Sequence, residues 1–544
     1  VPNHSRFAIF ARVVLLPLGL VLGTVAGLGS YYEASDDTSL AWLFSGVLAL
    51  KPVPSVPLYF HGWGHLLAAA YTAVPGVAWF GVLLGGLLGW ATMLTFAVLD
   101  KLLRPHLRPG ALVLALVTFY FVAWLEHWLW FSYVRVALLL AGASLLFAAQ
   151  RLGRRGPLLL GLLGLAAAWL MRPSLGALAI GATLPAVLRL AGHWRRAVPL
   201  VACAALGLAL ASGAAAALQT PEAKHTQVRD GYFARILDFD QLRPQPRTTA
   251  DSLGTAAVGL WLMGDSSVVS EALCQRAYGF DAADFYGREV PAKLWLRAAL
   301  LVRDYFPILL ALLVSGVIIF RLQGQNRIFW LLQLGFAGVL ALFAGLLKLP
   351  PRLELPLLDF WLLTNLVFLL REKRTTALTS LSRAGLGMAA LVVLGLYGAK
   401  TIHRRQVLGQ ERSRHEMALA EISRRTTGRF LVVAGSNDLL KSLSPFRCYS
   451  FGAEATLMLS GWPSHDHSQA ALRRHLSGAA GQDECLRRLA TAAQGTEWVL
   501  SRETALWLNR RFRYQPGVLS VPLLCPGASV VADTSLRFYQ PYLR

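Results

Sequence analysis

Charge is what this sequence has least of. Only 15% of its 544 residues are Asp, Glu, Lys or Arg, against 55% hydrophobic residues and a mean hydropathy of +0.49. Such a chain has too little polar surface to cover an ordinary soluble enzyme, and it is too apolar to be disordered. Five cysteines exclude a disulfide-dense scaffold, and no Gly-X-Y period exists for a collagen-like fibre. No Walker or Rossmann fingerprint occurs around the Gly-rich runs, and glycines such as those of 81–89 are expected to allow close helix packing. No internal repeat of fixed period is present, which argues against transporters built from inverted repeats.

What is abundant fits a polytopic helical membrane protein: Phe, Trp and Tyr, which gather at membrane interfaces, and 48 Gly. Acid is scarcer than base, giving a net charge of +22. In a soluble protein that would point to nucleic acid; in a bilayer the first explanation is Lys and Arg holding loops on the cytoplasmic side. About eleven apolar runs are long enough to span, at 13–28, 77–99, 111–124, 132–149, 157–171, 175–190, 197–218, 305–320, 328–347, 355–370 and 384–399.

With a cytoplasmic N-terminus, the inner loops carry 17 basic residues, including Arg12, Lys101, Arg104, Arg151, Arg154, Arg196 and Arg371. The short outer connections carry only Lys51, Arg135, Arg172, Lys348 and Arg352. The alternation persists through every span, and a miscounted helix would have broken it. The expected location is a bacterial inner membrane. The first span has no small-residue cleavage site after it and reads as a permanent anchor, while Val1 in place of Met reads as a trimmed start.

The expected fold is therefore an α-helical polytopic membrane domain over 1–399, with exoplasmic loops 31–75 and 219–304, followed by a small exoplasmic (periplasmic) α/β domain over 400–544. The signals of that last domain are a strand at 430–434, helical periodicity at 469–476 and 484–493, and a strand near 518–524. Residues 400–429 read as a juxtamembrane amphipathic helix and linker. Cys274, Cys448, Cys485 and Cys525 would be exoplasmic, where four cysteines allow three full pairings and a disulfide is an open expectation.

The most informative stretch follows the first span and contains Glu33, Asp36 and Asp37, then Trp42, Phe44 and the run from Tyr59 to His65. Three carboxylates crowded beside a membrane mark a site that needs a base, a cation or a cationic ligand. The structural alternative is a solvated acidic turn capping a helix that begins near Thr38, with Asp37 at the N-cap. This arrangement resembles the polytopic glycosyltransferases of the GT-C superfamily, in which the first exoplasmic loop carries an acidic pair shortly after the first membrane helix, followed by an aromatic, Pro-rich loop and many spans.

The resemblance implies transfer of a sugar from a polyprenyl-phosphate or polyprenyl-diphosphate lipid to an envelope glycan or lipid acceptor outside the cytoplasm. It also implies Asp36 as the leading catalytic acid and Asp37 as the second, acting as base or as ligand to a divalent cation, Mg²⁺ or Mn²⁺. No other cofactor is implied, and no nucleic acid partner is expected. The pair here is Asp-Asp rather than Asp-Glu, and the WWDYG signature of oligosaccharyltransferases is missing, so protein N-glycosylation is not expected.

A lipid phosphate leaving group needs cationic stabilisation at the membrane surface. Arg135, Arg172 and Arg352, with Lys348 nearby, stand at outer ends of spans and are the candidates; snorkelling to headgroups is the alternative. His61 and His65 have the spacing of a helix face, for an acceptor contact more than for a metal. Glu126 and His127, among Trp124, Trp128 and Trp130, read as part of an aromatic belt or as supports behind a site, and His465, Asp466 and His467 as a solvated loop. The C-terminal region carries 20 Lys and Arg against 11 Asp and Glu, an excess suited to acidic headgroups or an anionic glycan. Competing expectations are an O-antigen ligase or polymerase-like transferase, which relies on Arg and His, and a lipid or polysaccharide transporter, with charges in mid-span.

Overall fold

The structure, a computed structural model, describes residues 6–56, 60, 62–323, 326–371, 380–491, 495–514 and 521–543. Two compact units emerge, each assembled from three stretches of chain. The first comprises Val1–Ser30, Leu83–Leu218 and Glu289–Val407; the second comprises Tyr31–Val82, Gln219–Arg288 and Leu408–Arg544.

The protein is mostly helical. Among the described residues, eight helices are long and apolar enough to cross a membrane: Arg6–Gly27, Trp79–Leu103, Pro109–Leu129, Pro173–Ala191, Trp194–Ala217, Ala282–Arg321, Arg327–Leu346 and Pro351–Arg371. Two shorter apolar helices, Tyr133–Ala149 and Arg155–Met171, coincide with expected spans, and the run at 384–399 lies inside the helix Ser380–Thr426. Length and hydropathy thus select eight helices where the sequence reading counts about eleven. The expected span at 305–320 starts at a kink: Tyr305 leaves helical geometry (φ −123°, ψ 24°) two residues before Pro307, whose ring clashes with the carbonyl four residues back.

The Tyr133–Ala149 helix is buried along nearly its whole length. Neighbours approach it closely because the contacts are glycines. A Cβ on Gly142 would sit 2.1 Å from the Phe360 ring, and one on Gly164 would sit 2.1 Å from Ser144 Oγ. Of the glycines at 81–89, where close packing was also expected, Gly81 does meet a neighbour closely, while Gly86 and Gly89 meet nothing within 4 Å.

The second unit is built on a five-stranded mixed sheet. We number its strands after a short antiparallel pair, β1 (Leu242–Pro244) and β2 (Tyr278–Phe280). They are β3 (Phe430–Ala434), β4 (Ala455–Met458), β5 (Thr496–Ser501), β6 (Pro522–Val530) and β7 (Asp533–Leu543), in the order β4-β3-β5-β7-β6. β3 is parallel to β4 and β5, while β7 is antiparallel to β5 and β6. Interior β3 reads as a continuous apolar run, as a parallel strand covered on both faces should. Amphipathic helices Ser468–Ser477, Gln482–Thr491 and Arg502–Arg513 bury Leu472 and Leu476, Cys485 and Leu489, and Leu508 and Phe512.

The C-terminal region does not enclose this core alone. Phe233, Val258, Leu262 and Leu273 share one hydrophobic cluster with Trp498, Leu508 and Phe512. Trp507 Nε1 donates to Leu253 O at 2.9 Å, and Arg511 lies 3.3 Å from Asp265. The first loop is woven in as well. Tyr32 exchanges backbone hydrogen bonds with Ser442 and Leu443, and Gln469 Nε2 donates to Leu48 O at 2.7 Å. Gly81 is required at its position, since a Cβ there would stand 1.8 Å from Pro445 O. All five cysteines are free thiols, so none of the disulfides the sequence left open is formed.

Candidate functional site

In the second unit, the helix Ser35–Ser45 carries the acidic pair in its first turn, following an extended N-cap at Ala34 that offers no side-chain acceptor. Carboxylates are favoured there by the exposed N–H groups and the helix dipole. The turn is not solvated and Asp37 is not the N-cap: the helix begins three residues before Thr38, and Asp37 is fully buried. Asp36 is half-buried, and its Oδ1 accepts a 3.1 Å hydrogen bond from Trp462 Nε1. Thr38 Oγ1 donates to Leu440 O at 2.7 Å and fixes the next turn.

The phenols around the pair stay neutral. Burial, reinforced by Tyr71 and Asp37, pushes the Tyr32 hydroxyl well above its ordinary value, and burial raises Tyr71 to about 12 while its oxygen accepts from the Phe80 amide. Asp36 is thus the carboxylate of the pair with access to a ligand, held at one oxygen by an indole. Glu33 is half-buried. His65 is exposed on the helix Trp63–Ala73, which starts after His61, and His61 lies outside the described residues. Among the described residues no group of three or more His, Cys, Asp or Glu side chains is placed to hold a metal ion.

The four candidate cations belong to the first unit. Arg135 is fully buried, and its Nη1 lies 3.3 Å from His127 Nδ1. Arg172 Nη1 donates to Tyr133 Oη at 3.2 Å. Arg352 is half-buried in the first turn of Pro351–Arg371, and Lys348 is exposed just before it.

Around Arg135 stands a polar cluster that the sequence reading missed. His127 Nε2 lies 2.6 Å from Asp359 Oδ2, and all three side chains are inaccessible to solvent. Because a guanidinium can only donate, Nδ1 of His127 must accept and Nε2 must carry the proton that bonds Asp359. Asp359 Oδ1 has no hydrogen-bond partner among the described residues. In a second group, Arg404 bridges Glu126 at 2.7 Å and Asp304 at 3.2 Å, Lys400 stands 3.6 Å from both acids, and the Arg404 guanidinium covers the Trp130 ring at 4.9 Å.

Glu126 is therefore a buried ion-pair partner and His127 a buried, hydrogen-bonded neutral imidazole, which departs from the aromatic belt and leaves the supporting role open. The available signal was Asp359, an acid in mid-helix between apolar neighbours and a full turn beyond Glu354, where a charge is costly unless it serves a site. His465 also departs from its expected solvated loop: it is buried, with Nε2 2.8 Å from Asp230. No family model matches the sequence, and no curated protein matches it.

Proposed function

We propose that this protein is an integral-membrane glycosyltransferase of GT-C type that moves a sugar from a polyprenyl-phosphate or polyprenyl-diphosphate lipid to an envelope glycan, lipid or other acceptor. The observation that carries the reading is Asp36: a ligand-accessible carboxylate on a helix N-terminus, oriented by Trp462, soon after the first apolar helix. In the reaction, Asp36 takes the proton of the acceptor hydroxyl as that oxygen attacks the anomeric carbon. The bond from that carbon to the lipid phosphate oxygen breaks, and the lipid phosphate leaves with the electron pair. A single displacement inverts the anomeric configuration. Asp37 supports the turn from within, and Arg172, Arg352 and Lys348 are the proposed contacts of donor lipid and leaving group, while Arg135, expected among them, is enclosed beside His127.

The topology belongs to the same proposal: eleven spans, the N-terminus in the cytoplasm of a bacterium and the second unit in the periplasm. Its support is a parity argument. One compact unit cannot be threaded through both faces of a bilayer, so 31–82, 219–288 and 408–544 require an even number of crossings between them. The stretch 83–218 meets this with either four or six crossings. The stretch 289–407 holds all or most of three of the eight long apolar helices, and the proposal takes Ser380–Thr426 as the fourth crossing. Counting the two shorter helices as spans completes the eleven.

A ligase- or polymerase-like transferase is the second reading, favoured by the buried Arg135–His127–Asp359 group. Membranes containing the protein, given labelled polyprenyl-phosphate sugars, test both. Label transferred to an envelope acceptor with inverted configuration supports the first reading; retained configuration contradicts the single displacement; no transfer from any donor defeats the transferase and leaves a transporter.

A further inference from the structure

The first unit contains a cavity of about 1230 Å³ where the helices Trp79–Leu103, Tyr133–Ala149 and Pro173–Ala191 end and Arg155–Met171 and Trp194–Ala217 begin. It is larger than the roughly 300–1,000 Å³ of common small-molecule pockets. Its walls are of two kinds. Leu158, Leu162, Leu200 and Ile9 are apolar, and the same two helices present Leu159, Leu163, Val198 and Leu206 to the outside. The remaining wall is basic: Lys101, Arg104, Arg151, Arg154 and Arg196 line the space.

Asp100 is the one acid in that lining, and it is already occupied. Its Oδ1 accepts from Arg12 Nε at 2.6 Å and its Oδ2 from Arg104 Nη2. Arg12 is 6% exposed, and its Nη2, like Arg104 Nε, has no hydrogen-bond partner among the described residues. Arg151 is spent on Ala97 O and Gln150 Oε1. Arg154 and Arg196, both exposed, form no ion pair among the described residues. Burial, with the charges of Arg104 and Arg154 and against that of Asp100, pushes the Arg151 guanidinium down to about 10.

We propose that this cavity binds an anionic glycerophospholipid of the surrounding bilayer, its phosphate held by Arg104, Arg154 and Arg196 and an acyl chain lying along Leu158, Leu162 and Leu200. A phosphate alone would use the basic wall and leave the apolar one wet, whereas a neutral lipid would leave the excess cations unpaired. A basic pocket between membrane helices suits such a headgroup, because each cation near it adds favourable energy in a water-poor site. The proposal does not depend on sugar transfer.

Cys203 lines the cavity with an exposed thiol and reports its occupancy, while Cys448 and Cys525, also exposed, are controls in the other unit. The experiment follows the rate of maleimide modification of each cysteine in the full chain in non-ionic detergent, with phosphatidylglycerol, phosphatidylcholine or glycerol phosphate added. Phosphatidylglycerol is expected to slow Cys203 about fivefold or more at saturating lipid, with the controls unchanged and the other two additives without effect. An Arg154→Gln, Arg196→Gln double variant, at two exposed positions, should lose that protection at the same lipid concentration. Equal protection by phosphatidylcholine, protection by glycerol phosphate alone, or protection that survives the double variant would each overturn the proposal.

Discussion

Trp462 Nε1 and Asp36 Oδ1 meet at 3.1 Å although 426 positions separate them in sequence. The bond ties the first loop to the turn before the helix Ser468–Ser477 and leaves Asp36 with one oxygen fixed. A hydrogen bond to a charged acceptor contributes about 1.5–3 kcal/mol. Trp462→Phe should therefore lower the transfer rate about tenfold with little change in KM for the donor, because it misorients the base without touching the lipid. The check is steady-state kinetics beside a thermal midpoint; an unchanged rate in a folded variant would separate Trp462 from the chemistry.

The group formed by His127, Asp359 and Arg135 makes a stability prediction independent of any activity. Removing one member of a buried charged set leaves the others uncompensated, at about 3–5 kcal/mol. Asp359→Leu should lower the thermal midpoint in detergent strongly. Asp359→Asn, whose amide oxygen still accepts from His127 Nε2, should lower it less. Equal midpoints for the two would show that the acceptor at Oδ2 does not matter.

Thiol chemistry tests the packing of the second unit. Cys274 and Cys485 are buried, and burial pushes the Cys274 thiol up to about 11 and raises that of Cys485. At pH 8 neither should react with maleimide in the native protein, while Cys203, Cys448 and Cys525 should. Denaturation without reductant should release five reactive thiols. Finding three would establish a disulfide and contradict this fold.

Acid sensitivity has a specific source in Asp251. Its Oδ1 accepts from Arg276 Nε at 2.7 Å, its Oδ2 faces the amides of Arg247 and Thr248, and it completes a capping box with Thr248. The Arg276 hydrogen bond, with Thr248 and Arg247 assisting against desolvation, holds the carboxyl below its ordinary value of 3.8. A depressed folded-state value means the contribution is complete above the unfolded value and is lost as pH falls through the folded one. Asp251→Asn should remove that part of the pH dependence, so the two proteins should differ in midpoint at neutral pH and converge below the ordinary carboxylate range. A constant difference at every pH would contradict the assignment.

Much of the fold was legible because its signals are local. The strand expected at 430–434 is β3 itself, the periodicity at 469–476 lies in Ser468–Ser477, and that at 484–493 overlaps Gln482–Thr491, with 492–493 outside the described residues. β4 escaped notice because four residues show no usable alternation, and β7 because Pro541 and Arg537 interrupt its apolar pattern. The strand expected near 518–524 starts at Pro522, with 515–520 outside the described residues. Of the candidate site, the acidic pair was readable from its place after the first span. The His127–Asp359 contact was not, since it joins residues 232 positions apart and neither helix carries a local sign of the other. Trp462 was hidden for the same reason.

The account rests on Asp36 as the base of sugar transfer, and one comparison bears on it directly. Transfer of labelled sugar from polyprenyl-phosphate donors is measured in membranes holding equal amounts of the unmodified protein and of Asp36→Asn, which keeps the shape and the acceptor for Trp462 but not the basicity. A loss of about a hundredfold or more in rate, with the donor still bound, is the predicted result. Transfer that proceeds undiminished would contradict the account and move the chemistry to Arg135, His127 and Asp359.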